Sequence, residues 1–145
     1  MKSIYIIGAL RNPKIPEFAN ELQAQGFEGF ADWFSPGPDA DDYLRDYSKA
    51  RGLSYAGALK SYAARHIFEF DKYHLDRCDA VVMLMPAGKS GHLELGYAIG
   101  CGKPGYILFD SEPERYEIMV QFATGIFFSK EELFFELHRV LKSKG

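Results

Sequence analysis

Three apolar runs, Ser3–Ile7, Ala80–Met85 and Tyr106–Phe109, constrain the fold more than any other feature of the sequence. They lack the polar alternation of a strand with one wet face, so each reads as a strand covered on both sides. Phe27 to Phe34 suits a further strand running into a loop, and Gly125–Phe128 a short last one. Between these runs lie stretches with helical spacing. Strands alternating with helices mean a parallel sheet with both faces covered.

The intervening stretches carry their own start and stop signals. Pro16 to Gln25 places Phe18, Ala19 and Leu22 on one face, with Gly26 just past the end. Ser35-Pro36-Gly37-Pro38-Asp39 breaks the chain, and the acidic stretch Asp39 to Gly52 reads as a short exposed helix. Ser54 is placed to cap one long helix from Tyr55 to about Cys78. Further helices are expected from Ser90 to Cys101 and from Ser111 to about Val120. The last begins at Ser129, which has capping-box spacing to Glu132, and runs to about Lys142. Five strands in this arrangement fit a flavodoxin-like, doubly wound α/β fold of order 2-1-3-4-5 with helices on both faces. Ligands of that fold sit beyond the carboxyl ends of the strands, at the switch point between strands 1 and 3. The loops there are Gly8–Pro13 and Pro86–Ser90, both on one rim.

A chain of 145 residues is expected to form one domain, 1–145, with a substantial core. A net charge of −3 with no basic block gives no footprint for duplex nucleic acid. The apolar run Ile4–Leu10 is too short for a membrane span and does not make a signal peptide. Cys78 and Cys101 lack metal-ligand or CxxC spacing, which suggests reduced, mostly buried thiols and a cytoplasmic home. The four histidines form no metal-binding pattern, so neither a metal nor an organic cofactor is expected.

The main oddity is Glu94. From Gly91 to Cys101 it is the only formal charge, in a helix otherwise short of polar residues. If Ser90 is the N-cap, the capping-box partner would be Leu93, so capping does not explain the glutamate. Two readings stand: a first-turn carboxylate favoured by the helix dipole and pointing to solvent, or an isolated buried carboxylate kept for function. Gly96 and Gly100 suggest that the helix packs closely by its backbone. Asp71 shares a helical stripe with Ile67, His74, Leu75 and Cys78, which puts it at the core margin. Its plain alternative is an ion pair. Arg11, in the turn after the first strand, suits bidentate phosphate binding, or is simply a surface arginine. His92 is near enough to reach a ligand, and Trp33 and Phe34 suit either base stacking or packing. Gly8 alone is not a dinucleotide fingerprint, and Gly88-Lys89-Ser90 fails the P-loop frame because position 83 is Met.

Taken together, these residues resemble the nucleoside 2-deoxyribosyltransferase superfamily, which includes deoxynucleoside 5′-monophosphate N-glycosidases. The likeness rests on Ile4-Tyr5-Ile6-Ile7-Gly8, on Asp71, on Glu94-Leu95-Gly96-Tyr97-Ala98 and on Gly102-Lys103-Pro104, and covers most of the chain. It implies Glu94 as the nucleophile attacking C1′ of the sugar, Asp71 as the residue assisting proton transfer to the departing base, and Tyr5 as the residue orienting Glu94. Gly8-Ala9-Leu10-Arg11 matches the turn that holds a 5′-phosphate in the monophosphate hydrolases. The substrate-binding positions implied are Gly8, Arg11, Asn12, Gly88, Ser90, Gly91, His92 and Met119. The chain departs from the transferases in three places. Its loop before Glu94 is Gly88-Lys89-Ser90-Gly91 rather than D-x-G, Glu117-Ile118-Met119 lacks the asparagine of Asn-x-Met, and residues 35–52 have no clear counterpart. Arg11, Lys89 and Ser90 favour a phosphorylated substrate.

The expectation is an enzyme cleaving the N-glycosidic bond of a nucleoside 5′-monophosphate and releasing free base. The alternatives are a deoxyribosyltransferase acting on unphosphorylated nucleosides and an inactive nucleotide-binding sensor. The resemblance also implies a homodimer or larger homo-oligomer.

Overall fold

The computed structural model describes residues 1–141. Five parallel strands, β1 (Ser3–Ile7), β2 (Glu28–Phe30), β3 (Ala80–Leu84), β4 (Gly105–Leu108) and β5 (Gly125–Phe127), form one sheet in the order β2-β1-β3-β4-β5. Ile4 pairs with Gly29 on one side and with Ala80 on the other, so β1 and β3 are the central neighbours. This is the expected flavodoxin-like order, and every residue of β1, β3 and β4 is buried.

Alternation along the strands divides the core into two layers. Ile4, Ile6, Val82 and Leu108 pack against Phe18 and Leu22 of α1 (Ile15–Ala24) and Leu133 and Leu137 of α6 (Lys130–Val140). Tyr5, Ile7, Val81, Met83 and Ile107 face Leu75 of α4 (Tyr62–Arg77) and Leu95 and Ala98 of α5 (Lys89–Gly100). Ser129 caps α6 as expected, its Oγ accepting the Glu132 N–H at 3.4 Å. The expected end of that helix at Lys142 lies outside the described residues.

Several sequence expectations are corrected. The second strand stops at Phe30 and gives way to a 3-10 turn at Asp32–Phe34. There the Trp33 indole N–H donates to the Ile6 carbonyl at 2.8 Å, so the indole packs between both core layers. The long helix is broken into α3 (Tyr55–Leu59) and α4. Ser54 caps α3, but Ser61 then competes with the helix, its Oγ donating to the Ala58 carbonyl and accepting the Ala64 N–H to start α4 afresh. Between α1 and α3, the acidic stretch forms α2 (Ala40–Ala50).

Ser111–Val120 is not a helix. Pro113 disfavours helical geometry at Glu112, and Ile118 and Met119 find no buried face, leaving only a 3-10 turn at Ile118–Phe122. Gly96 and Gly100 have no atom within 4 Å of where a Cβ would stand, so they do not serve close packing. Cys78 is buried but Cys101 is exposed, and both are free thiols. Among the described residues no helix is long and apolar enough to cross a membrane.

Candidate active site

Tyr5, Asp71 and Glu94 meet on the face of the sheet covered by α4 and α5. The middle residue of β1, Tyr5, is 1% exposed because alternation turns it toward those helices. Asp71 comes from the centre of α4 and Glu94 from the centre of α5, both half-buried. The N-cap of α5 is Gly88, not Ser90, which places Glu94 in the second turn. The helix dipole acts mainly on the first turn, so the dipole reading of Glu94 loses its basis.

Electrostatics mark the same trio. Burial raises the Glu94 carboxyl from 4.5 to about 7, and the neighbouring Asp71 charge adds to the rise. The Tyr5 phenol donates toward the Glu94 carboxylate and opposes that rise. Burial alone raises Asp71 from 3.8 to about 6. Tyr5 itself is pushed far up by burial and by both carboxylates, so it remains a phenol and a donor. Glu94 Oε2 is buried and has no hydrogen-bond partner among the described residues. Two interacting carboxyls of this kind titrate as a pair. Midway between those two values the pair holds one proton, mainly on Glu94, giving one carboxylate and one acid side by side.

The trio rests on an aromatic wall that the sequence did not single out. The Phe30 ring lies 5.3 Å from the Tyr5 ring, and His74 stacks on Phe30 at 4.0 Å. The Arg77 Nε–H donates to His74 Nδ1 at 2.8 Å, which requires that nitrogen to be unprotonated, and burial lowers the His74 pKa. The one available signal was the stripe linking Asp71 and His74 at i, i+3. Nothing in the sequence pointed to Phe30.

At the rim, Gly8 allows Ile15 to approach, since a Cβ there would lie 2.6 Å from Ile15 Cδ1. Arg11 is largely exposed and stands 3.7 Å from each of two carboxylates, Asp39 and Asp42. Asn12 is buried; its Oδ1 accepts the Lys14 N–H at 3.0 Å, while Nδ2 has no partner among the described residues. Gly88 and Ser90 are exposed at the start of α5, whereas Gly91 is buried against β1.

His92 and Met119 fall elsewhere. Two positions along a helix are about 200° apart, so His92 points away from Glu94. It lines a cavity of about 320 Å³ together with Met83, Met85, Phe109, Val120 and Phe128. The His92 ring also binds the Gly88 carbonyl through Nδ1 at 2.7 Å, which assigns the proton to Nδ1. Met119 is exposed on the 3-10 turn bordering that cavity. Among the described residues no group of three His, Cys, Asp or Glu side chains is arranged to hold a metal ion.

No family model matches the sequence, and no curated protein matches it either. Solved structures do share the fold. The 2-deoxyribosyltransferase of the psychrotolerant bacterium Bacillus psychrosaccharolyticus superposes with a TM-score of 0.60 at 15% identity, over 91% of this chain and 90% of that one. The CMP N-glycosidase BcmB of Clostridium botulinum superposes with a TM-score of 0.56 at 17% identity, over 94% of this chain and 98% of that one. At such identities the likeness is one of fold.

Proposed function

We propose that the chain is an enzyme of the nucleoside 2-deoxyribosyltransferase superfamily that hydrolyses the N-glycosidic bond of a nucleoside 5′-monophosphate. The observation carrying this reading is the half-buried Glu94–Asp71 pair, with Tyr5 donating toward Glu94, on the face of the sheet covered by α4 and α5. The two structural neighbours, a deoxyribosyltransferase and a CMP N-glycosidase, support the same class of substrate.

The chemistry follows from the pair. A carboxylate oxygen of Glu94 attacks C1′ as the bond from C1′ to the base nitrogen breaks, and the bonding electrons leave with the base. In the free protein the shared proton sits mainly on Glu94, whose value is the higher of the two. The reactive form is the one in which it has passed to Asp71, which delivers it to the departing base. Water then attacks C1′, frees Glu94 and returns a proton to Asp71. Glu94 also stabilises the oxocarbenium character that builds at C1′ in both steps. Tyr5 favours the ionised form of Glu94 and so eases the shift of the proton to Asp71 that frees the nucleophile. Arg11 and Asn12 Nδ2 offer donors to the 5′-phosphate, with Gly88 and Ser90 beside them on the rim. No cofactor enters these steps.

A homodimer or larger assembly belongs to this reading. Tyr62, Ile67, Phe68 and Tyr73 are exposed along α4, an unusual apolar load for an outer helix. Sedimentation as a monomer at micromolar concentration would overturn that part. A cytoplasmic setting agrees with the two free thiols.

A second reading is favoured by one observation. Because Asp39 and Asp42 already face Arg11, an unphosphorylated nucleoside with transfer to a second base is the competing reaction. Liquid chromatography of nucleosides and 5′-monophosphates, with and without an acceptor base, separates the two. Free base from a monophosphate, lost in Glu94→Ala and weakened in Arg11→Ala, is the expected result. Base exchange confined to nucleosides supports the transferase instead, and binding without any base release overturns both.

A further inference from the structure

The acidic helix α2 faces the rim through Arg11. Asp39 Oδ1 and Asp42 Oδ2 each lie 3.7 Å from Arg11 Nη2. Arg11 and Asp39 are exposed and Asp42 is half-buried, and surface pairs of this kind hold weakly. Little else anchors the helix. Ser48 is its one buried residue, and the buried Ser48 hydroxyl has no partner among the described residues. On either side of the helix the backbone passes through Gly37 at φ 96° and Gly52 at φ 71°, both in open space. Left-handed glycines are positions where the backbone turns at least steric cost.

Building on the phosphate site proposed above, we propose that Asp39 and Asp42 are specificity-determining residues. They hold Arg11 in the free protein and are displaced from it by the 5′-phosphate of the substrate. A phosphate dianion forms stronger, bidentate contacts with a guanidinium than two separate carboxylates at this distance. It also cannot share Arg11 with them, because like charges that close repel. Asn12 Nδ2 in the same turn, without a partner among the described residues, supplies a second donor that the carboxylates leave unused. Phosphorylated substrates therefore turn α2 outward about Gly37 and Gly52. Nucleosides leave it in place and gain nothing from Arg11.

The test is calorimetric titration of the full chain with inorganic phosphate, a nucleoside 5′-monophosphate and the matching nucleoside. Asp39→Asn/Asp42→Asn is expected to tighten phosphate and monophosphate binding about tenfold and to leave nucleoside binding unchanged. The gain should vanish when Arg11→Ala is added. Asp41→Asn/Asp46→Asn makes the same change in net charge away from Arg11 and should stay near the wild type. An equal gain from both pairs would show a general field effect and overturn the proposal. Unchanged phosphate affinity in Asp39→Asn/Asp42→Asn, with Arg11→Ala still weakening it, removes the strap but keeps the phosphate site. If Arg11→Ala binds phosphate as the wild type does, the phosphate site fails and the strap with it. All five substituted residues lie on the surface apart from the half-buried Asp42, and melting temperatures of every variant check the fold.

Discussion

The phenol of Tyr5, on the central strand, donates toward the carboxyl of Glu94, on a helix that begins more than eighty residues later, and opposes the upward pull of burial and of Asp71. Glu94 is thus held between two opposing influences. Removing the donor should move its titration in a known direction. In Tyr5→Phe the Glu94 pKa rises further, so activity that needs the carboxylate is lost at higher pH than in the wild type. We expect kcat/KM at neutral pH to fall roughly 10- to 100-fold, with the acid limb shifted upward. A pH–rate profile checks both. An unshifted limb would show that the phenol does not act on Glu94.

The pair itself predicts a narrow optimum. One carboxyl must be ionised and the other protonated, and their values are raised to about 6 and about 7. The profile of kcat/KM should peak between those values and fall on both sides. Asp71→Asn removes the proton donor, and should cost on the order of 10²–10⁴ in rate while flattening the alkaline limb. Substrates whose base leaves without protonation should suffer least.

Stability should vary with pH in the opposite sense to that of an ion-paired carboxylate. Glu94 has a folded pKa of about 7, above its ordinary 4.5. Its proton is therefore bound more tightly by the folded chain. That contribution is fully present below about 4.5 and is lost as pH rises through about 7. Glu94→Gln, which cannot ionise, should gain on the wild type as pH rises, by roughly 1–3 kcal/mol at pH 8. Melting curves at pH 5 and pH 8 measure this, and an equal difference at both would contradict the burial account. The same variant should lose base release by a factor of roughly 10³ or more.

Two glycines of α5 should respond in opposite ways to alanine. A Cβ at Gly91 would stand 2.9 Å from Ile7 Cγ2 and 3.2 Å from the Ala87 Cβ, so Gly91→Ala must shift packed neighbours. It should destabilise by about 1–3 kcal/mol. Gly96 has open space around it, and Gly96→Ala should stabilise by about 0.5–1 kcal/mol through helix propensity. Urea denaturation of the two variants distinguishes the signs. In an assembly that buries α5, the Gly96→Ala gain would be lost.

The order of the strands was legible because Ser3–Ile7, Ala80–Met85 and Tyr106–Phe109 are each too apolar to leave a face in water. Ser54 and Ser129 were readable as caps because capping is a local bargain between one side chain and one backbone N–H. The break at Ser61 was not, because alanine-rich residues on both sides mask a serine that bonds backward as well as forward. Glu94 stood out by composition, yet its starting frame was misplaced by two residues, since Gly88 offers no side-chain signal as an N-cap. Phe30, packed between Tyr5 and His74, and the carboxylates facing Arg11 are products of tertiary placement. No spacing rule reaches them.

Trp33 is the only tryptophan of the chain, and its indole N–H is tied to the Ile6 carbonyl near the rim end of β1. Because it touches both core layers, its emission colour carries one signal for the whole molecule and another for the loop beside it. A single fluorophore therefore serves as a built-in gauge. Global melting would red-shift it as both layers open to water, whereas a ligand seated on the rim would change its intensity with the core intact.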